Sequence, residues 1–353
     1  MQYIYTVNTE KLKMKFTISI PIFNRVHYIP ETLESVIKQT YTDLEIICVD
    51  DCSRDGSAAL LRDYAQKDSR IKILTHEENK GLYLARKTGV LNASGDYMLF
   101  LDCDDVLTPH AVEAIYNTLC ENSVEILEYG YHSVHANEDT VPDSAVMAEK
   151  LFSSLVYDRQ PRAGTIWNKA YKTELLKNAF SKMSDFYAVM GEDFYESVII
   201  AYYAKSYSSI DDVLVLYNDE SGISNTRKNL ANIQKDLNSF AAIFNGFRVF
   251  FESYAAEHKE AILNIESYYI RYVYYNLILL KTNKTDRKMA VDLLKDYFSA
   301  EAAAPYFNKT KPAVTRDAVM YKIRAVIKRC ISKKLREMIK KIIRRYDKKP
   351  QQK

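Results

Sequence analysis

The chain has 353 residues with Lys+Arg 49 against Asp+Glu 46, a net charge of +3, and 47% hydrophobic residues. That length carries a large core plus an appendage, and the composition excludes disordered and collagen-like classes. The cysteines at 48, 52, 103, 120 and 330 never form a C-x-x-C pair, which argues against a zinc site or disulfide framework and suits a reducing compartment.

Neither a signal peptide nor an apolar run long enough to span a bilayer is legible, since a spanning helix needs about 20 apolar residues. Residues 1–14 read as an N-terminal extension, because patterned sequence begins with Met14-Lys15-Phe16. Phe16 to Pro21 predicts a first strand, and Ile22-Phe23-Asn24-Arg25 the loop leaving it. A helix follows from Ile29 to Thr40, with Pro30 near its start and Leu33, Val36 and Ile37 on one face. Leu44 to Val49 reads as a second buried strand ending in Asp50-Asp51. Next come the loop Cys52 to Ser57, a helix from Ala58 to Gln66 and a third strand from Ile71 to Leu74. Glu77 to Gly81 forms a loop into a helix over Leu82 to Leu91.

Met98 to Leu101 is an unbroken apolar run, read as a strand buried on both faces. It ends in three carboxylates, Asp102, Asp104 and Asp105, before Thr108-Pro109, read as the N-cap and first-turn proline of a helix reaching Cys120. Val124 to Tyr129 is a further strand. Strands alternating with helices predict an α/β fold with a mostly parallel sheet and right-handed crossovers. Ligands in such sheets sit outside the carboxyl ends of the strands. Clustered carboxylates there repel unless a cation offsets them, and oxygen-only ligands suit Mg²⁺ or Mn²⁺, often bridging a diphosphate. A solvated acidic turn is the plain alternative.

The middle of the chain is less regular and holds the sole tryptophan, Trp167, beside Asn168 and Lys169. It reads either as a core side chain or as an aromatic wall for a sugar ring. Gly191-Glu192-Asp193-Phe194 opens an apolar helix, where acidic residues also suit the helix dipole. Ile210 to Tyr217 reads as a strand. Leu230, Ile233, Leu237, Phe240, Phe244 and Phe247, then a face through Tyr268 and Tyr272, predict helices packed on the sheet, with a break between Ala300 and Pro312. The tail from Val319 to Arg345 is amphipathic, with an aliphatic stripe opposite a dense Lys/Arg face. An anionic membrane attracts such a face by about 1 kcal/mol per basic residue. A helix docked on the protein itself, or a nucleic-acid patch, is the alternative; the stripe lacks the aromatics used for base stacking, so no nucleic-acid partner is expected.

Ser19-Ile20-Pro21-Ile22-Phe23-Asn24-Arg25, Val49-Asp50-Asp51-Cys52-Ser53-Arg54-Asp55-Gly56-Ser57, Asn79-x-Gly81 with Ala85-Arg86, Asp102-Cys103-Asp104-Asp105 and Gly191-Glu192-Asp193 occur in this order. Together they resemble the family-two glycosyltransferases of GT-A fold, over roughly residues 15–225. The likeness extends to bacterial enzymes of lipooligosaccharide, capsule and related surface glycans, including galactosyltransferases with a basic C-terminal helix. The resemblance implies a GT-A Rossmann-like, mostly parallel sheet flanked by helices, with a helical C-terminal region. The expected division is a GT-A domain over 15–228, a helical appendage over 229–312 and a basic amphipathic helix over 313–353.

The resemblance further implies an inverting, metal-dependent hexosyl transfer from a UDP-sugar to a glycan or glycolipid hydroxyl. UDP-galactose is the leading donor, with UDP-glucose, UDP-GlcNAc and UDP-GalNAc open. It implies nucleotide-sugar contacts at Pro21, Phe23, Asn24, Asp51, Asn79, Arg86, Asp102 and Asp104, with Trp167 the sugar-wall candidate. Asp104 is the implied ligand of Mn²⁺ or Mg²⁺, and Asp193 the implied base. Phe23 stands where the family often has Tyr, and Lys87-Thr88 where Asn often follows the Arg. The expected place is cytoplasmic, peripheral on the inner membrane. Two rivals are a haloacid-dehalogenase-like phosphatase, with Asp102 as nucleophile and Asp211-Asp212 as its later acidic pair, and a non-catalytic sugar-nucleotide-binding subunit.

Overall fold

The computed structural model describes residues 13–142, 148–157, 164–188, 190–220, 230–274, 289, 292–294 and 296–300. The amphipathic tail over 313–353, and most of the extension over 1–14, lie outside the described residues.

The first half alternates strand and helix. Its elements are β1 (Phe16–Ile22), α1 (Ile29–Ile37), β2 (Leu44–Asp50), α2 (Ser57–Lys67), β3 (Ile71–Thr75), α3 (Leu82–Asn92) and β4 (Tyr97–Phe100). β3-β2-β1-β4 is a parallel sheet, the arrangement that alternating elements favour. Beyond it come β5 (Val106–Leu107), α4 (Ala111–Glu121), β6 (Ile126–Ser133), β7 (Glu138–Thr140), α5 (Ala148–Val156), β8 (Lys169–Lys172), α6 (Thr173–Ser181), α7 (Glu192–Tyr203) and β9 (Tyr207–Tyr217). There the sheet is mixed: β8 enters between β4 and β6 antiparallel to both, β6 pairs β9 in parallel, and β5 closes the edge antiparallel to β9. The expected mostly parallel sheet is thus found in β3-β2-β1-β4, while beyond β4 the sheet is mixed, with β6 and β9 its parallel pair. β8 escapes a reading by pattern because it is short and has Lys at both ends.

Two boundaries differ from the pattern. α1 stops at Ile37 rather than Thr40 because the Thr40 amide leaves the helix ladder for the Pro109 carbonyl at 3.2 Å, an exit held in place by the Gln39 side chain. Its amide donates to the Thr108 carbonyl at 2.7 Å, and its oxygen accepts from the Val112 amide at 3.0 Å. α4 starts at Ala111 with His110, not Thr108, at the N-cap position; Thr108 is instead tied to β9, its amide held by the Leu214 carbonyl at 2.9 Å.

β4 is buried on both faces, as its apolar run predicts. Met98 and Phe100 pack with α3, α6 and α7, while Leu99 and Leu101 pack with α1 and α4 on the other side. Each such fully buried side chain contributes about 1.5–3 kcal/mol. α8 (Leu230–Tyr254) and α9 (Ala261–Tyr272) extend the first of these two cores. Ile233, Leu237, Phe240, Phe244 and Phe247 are all buried as their spacing predicts. On α9 the inward face is turned by one residue: Tyr269 is 1% exposed, whereas Tyr268 and Tyr272 are only partly buried. The described part of the helical appendage thus shares its core with the sheet domain. Among the described residues, no helix is long and apolar enough to cross a membrane.

Candidate active site

The loops leaving β1, β2, β3 and β4 converge at the carboxyl ends of the parallel strands. The loop after β1 is pinned to the loop after β2. Asn24 stands at φ 53°, its amide donates to Ser53 Oγ at 2.9 Å, and its Oδ1 accepts from the Arg54 amide at 2.8 Å. Pro21 lies within β1, in register with Val49. Phe23 is 44% exposed at the rim, a placement that leaves its ring open to a planar group.

Asp51 is buried and organises the loop after β3. Its Oδ1 lies 2.6 Å from His76 Nδ1 and accepts from the Lys80 amide at 2.8 Å. Its Oδ2 accepts from Asn79 Nδ2 and the Gly81 amide, both at 2.8 Å. The other ring nitrogen of His76 lies 2.8 Å from Thr88 Oγ1 on α3. Gly81 holds φ +87° there, the left-handed region that favours glycine. His76 and Glu77 also line a cavity of about 720 Å³ beside this loop.

Arg86, on α3, is fully buried at the centre of a carboxylate cluster. Its Nη2 donates to Asp102 Oδ1 at 3.2 Å. Its Nη1 donates to Asp193 Oδ1 and, at 3.0 Å, to Glu196 Oε2, with Glu192 Oε1 4.0 Å away. Burial works against the charge of Arg86, but Asp193, Glu196, Asp102 and Glu192 outweigh it and raise its pKa well above the usual guanidinium value. One cation does not offset all of these anions. Burial first, then repulsion from Asp193, pushes the Glu192 carboxyl up to about 7. Burial likewise raises Glu196. Asp102 is raised by burial and by Asp193 and Asp104, against the pull of Arg86. Asp105 is pushed up to about 9 by burial and by Asp102, although its Oδ1 accepts from the Asn218 amide at 2.8 Å.

Asp104 keeps 14% of its side-chain surface exposed, with Arg25 Nη2 3.7 Å from its Oδ2. Among the described residues, no three His, Cys, Asp or Glu side chains are arranged to hold a metal by themselves. A divalent cation on Asp104 therefore needs oxygens from a diphosphate and water. The acidic turn suits such an ion: its donors are all oxygen, and its carboxyls are short of positive charge. Asp193 keeps 32% of its side-chain surface exposed, so the oxygen not held by Arg86 can face an incoming group.

Trp167 is 6% exposed and stacks on Tyr217 with centroids 4.7 Å apart. Tyr131 meets it edge-on at 4.7 Å. Burial, then the charges of Asp105, Asp102 and Asp104, raises the Tyr217 hydroxyl pKa, so Tyr217 borders the acidic turn and Trp167 stands behind it. Asp211 and Asp212 are exposed on β9.

Four contributors are missing from the sequence reading. Arg25 pairs with Asp104, and His76 supports Asp51. Glu196 is a charged residue inside the apolar helix run Tyr195 to Ile200, a signal of a buried partner. Lys169 is buried with its Nζ 2.7 Å from the Thr165 carbonyl and 3.5 Å from Glu128 Oε1. Burial lowers its pKa, against the pull of Glu128 and Asp193.

A parallel sheet with a polar crevice at its strand ends, continued by a mixed half, defines an α/β domain of GT-A type. The family model for Glycosyl transferase family 2 matches residues 17–190, and the domain over those residues is a family-two glycosyltransferase domain. The fold is similar to that of Staphylococcus aureus TarS 1–349, crystallised in complex with UDP-GlcNAc, at TM-score 0.60, 22% identity and 80% coverage of each chain. In sequence, the chain is 30% identical to glycosyltransferase GlyA of Streptococcus pneumoniae over 51% of this chain and 27% of that protein. It is 34% identical to the UDP-Glc:alpha-D-GlcNAc-diphosphoundecaprenol beta-1,3-glucosyltransferase WfgD of Escherichia coli, over 34% of this chain and 47% of that one. The chain thus spans less than half the length of these two curated relatives.

Proposed function

We propose that the protein transfers a hexose from a UDP-sugar to a hydroxyl of a glycan or glycolipid, inverting the anomeric carbon, in the synthesis of a bacterial surface polysaccharide. The observation that carries this reading is the convergence of Asp102 and Asp193 on Arg86, at the carboxyl ends of β1, β2 and β4. It brings a donor-side and an acceptor-side carboxylate together in one crevice. The match to WfgD, which is named for a UDP-Glc donor and a lipid-diphosphate acceptor, supports this donor and acceptor class.

Asp193 is the base in this reading. It takes the acceptor proton while the hydroxyl oxygen bonds to the anomeric carbon. The same electron flow breaks the bond from that carbon to the UDP oxygen. Arg86 orients Asp193 and, through Asp102, sets where the donor sugar lies. Phe23 and the loop from Asn79 to Gly81, fixed by Asp51, border the nucleotide. Asp104 would hold Mn²⁺ or Mg²⁺, which offsets charge on the departing diphosphate when bound. Trp167 supports the crevice through Tyr217. The basic stripe over 313–353 would bring the enzyme to an anionic, cytoplasm-facing membrane that carries a glycolipid acceptor.

The test is release of UDP from UDP-galactose, UDP-glucose, UDP-GlcNAc and UDP-GalNAc, with and without Mn²⁺. Turnover of one donor, lost in Asp193→Asn while UDP still binds, is expected. Full transfer by Asp193→Asn would remove it from the role. Phosphatase activity with no turnover of any nucleotide sugar would favour the phosphatase rival.

A further inference from the structure

We propose that Tyr269 of α9 is a positioning residue for the transfer, fixing the turn that presents Asp193 to the crevice. The proposal rests on the reading of Asp193 as base, and it extends the catalytic apparatus into the helical region.

Gly191 stands at φ +89°, directly before Glu192 and Asp193 at the start of α7. The Tyr269 hydroxyl donates to the Gly191 carbonyl at 2.6 Å. A ring carbon of Tyr269 lies 2.8 Å from where a Cβ on residue 191 would stand, and a ring carbon of Phe240 lies 2.6 Å from that point. The turn is therefore clamped between α8 and α9, and only a glycine fits the clamp. Tyr269 is itself held edge-on against Phe194, the neighbour of Asp193, at 5.7 Å, and against Phe244 at 5.3 Å. Phenylalanine would fill the same apolar space. The hydroxyl at this buried place is spent on one carbonyl, the one that opens the helix bearing Asp193. Hydrogen bonds to a backbone turn fix orientation, and small misplacements of a base cost turnover rather than substrate affinity.

The experiment compares the full chain with its Tyr269→Phe variant. UDP release is followed with the four UDP-sugars and Mn²⁺, UDP affinity by calorimetry, and amide hydrogen exchange over residues 190–198 by mass spectrometry. The expected result is a fall in kcat of about tenfold with donor KM and UDP affinity unchanged, together with faster exchange over 190–198. Wild-type kcat and exchange would overturn the proposal, and so would a lower Tm with both at wild-type values, which is the mark of packing alone. If Tyr269→Phe does not fold, Phe240→Leu loosens the same clamp from α8 and carries the same expectation for exchange. Asp193→Asn separates the two readings. Transfer retained in Asp193→Asn sinks the base itself. An inactive Asp193→Asn beside a fully active Tyr269→Phe sinks only the positioning role.

Discussion

Nη1 of Arg86 donates to Oδ1 of Asp193, tying the middle of α3 to the first turn of α7. Both elements approach the sheet from the same side, and the second nitrogen of the same guanidinium reaches Asp102 on the far side of the crevice. The two carboxylates are spaced by one planar cation.

Removing that cation has the largest predicted consequence. Arg86→Met leaves Asp102, Asp193 and Glu196 without their shared donor, and loss of one partner from a buried ionic cluster costs about 3–5 kcal/mol. Urea denaturation at neutral pH measures it. Arg86→Lys keeps the charge but cannot bridge two carboxylates with a planar fork, so it should fold while losing about 100-fold or more in kcat/KM. Near-wild-type turnover in Arg86→Lys would show that the charge alone suffices.

Asp51 accepts on both oxygens from four internal donors. Asp51→Asn turns an acceptor into a donor facing the Gly81 amide and Asn79. An unsatisfied buried polar group costs about 1–3 kcal/mol, so stability should fall by that order. UDP affinity should weaken with it because the loop over 79–81 loses its anchor. Calorimetric titration of UDP beside a denaturation curve checks both; unchanged stability with weaker UDP binding would instead make Asp51 a direct nucleotide contact.

Glu192 sets a pH dependence. Its carboxyl titrates at about 7 when folded, against an ordinary 4.5, because burial and Asp193 oppose its ionisation. The folded chain therefore binds the proton more tightly than the unfolded chain does, and stability falls as pH rises from the ordinary value through the folded one. Over that window the loss is on the order of 3 kcal/mol. Glu192→Gln should flatten this decline, read as Tm across the range. An equally steep decline in the variant would assign it to other groups.

Trp167 distinguishes support from contact. Trp167→Leu removes the stack on Tyr217 and should cost about 2–4 kcal/mol, as large-to-small core substitutions do. Donor KM should stay near wild type, because the ring is buried and its face is stacked on Tyr217. A large rise in donor KM with stability intact would place the tryptophan against the sugar.

The sequence by itself determined the parallel half of the sheet, the acidic turn after β4 and the helical faces of α1 and α8. Those features depend on local periodicity and on residue types whose preferences act over a few positions. The family assignment was legible for the same reason, since its motifs are short and ordered along the chain. Only the tertiary structure decided that β8 inserts antiparallel beside β4 and that Arg86 gathers Asp102, Asp193 and Glu196. It alone placed Trp167 behind Tyr217 and brought Tyr269 to the carbonyl of Gly191. Each of these pairs residues far apart in sequence: the Arg86 and Tyr269 contacts are set by how α3, α7 and α9 pack on one face of the sheet, and the Trp167 stack lies in the core on the other. No local pattern carries the length and direction of those approaches.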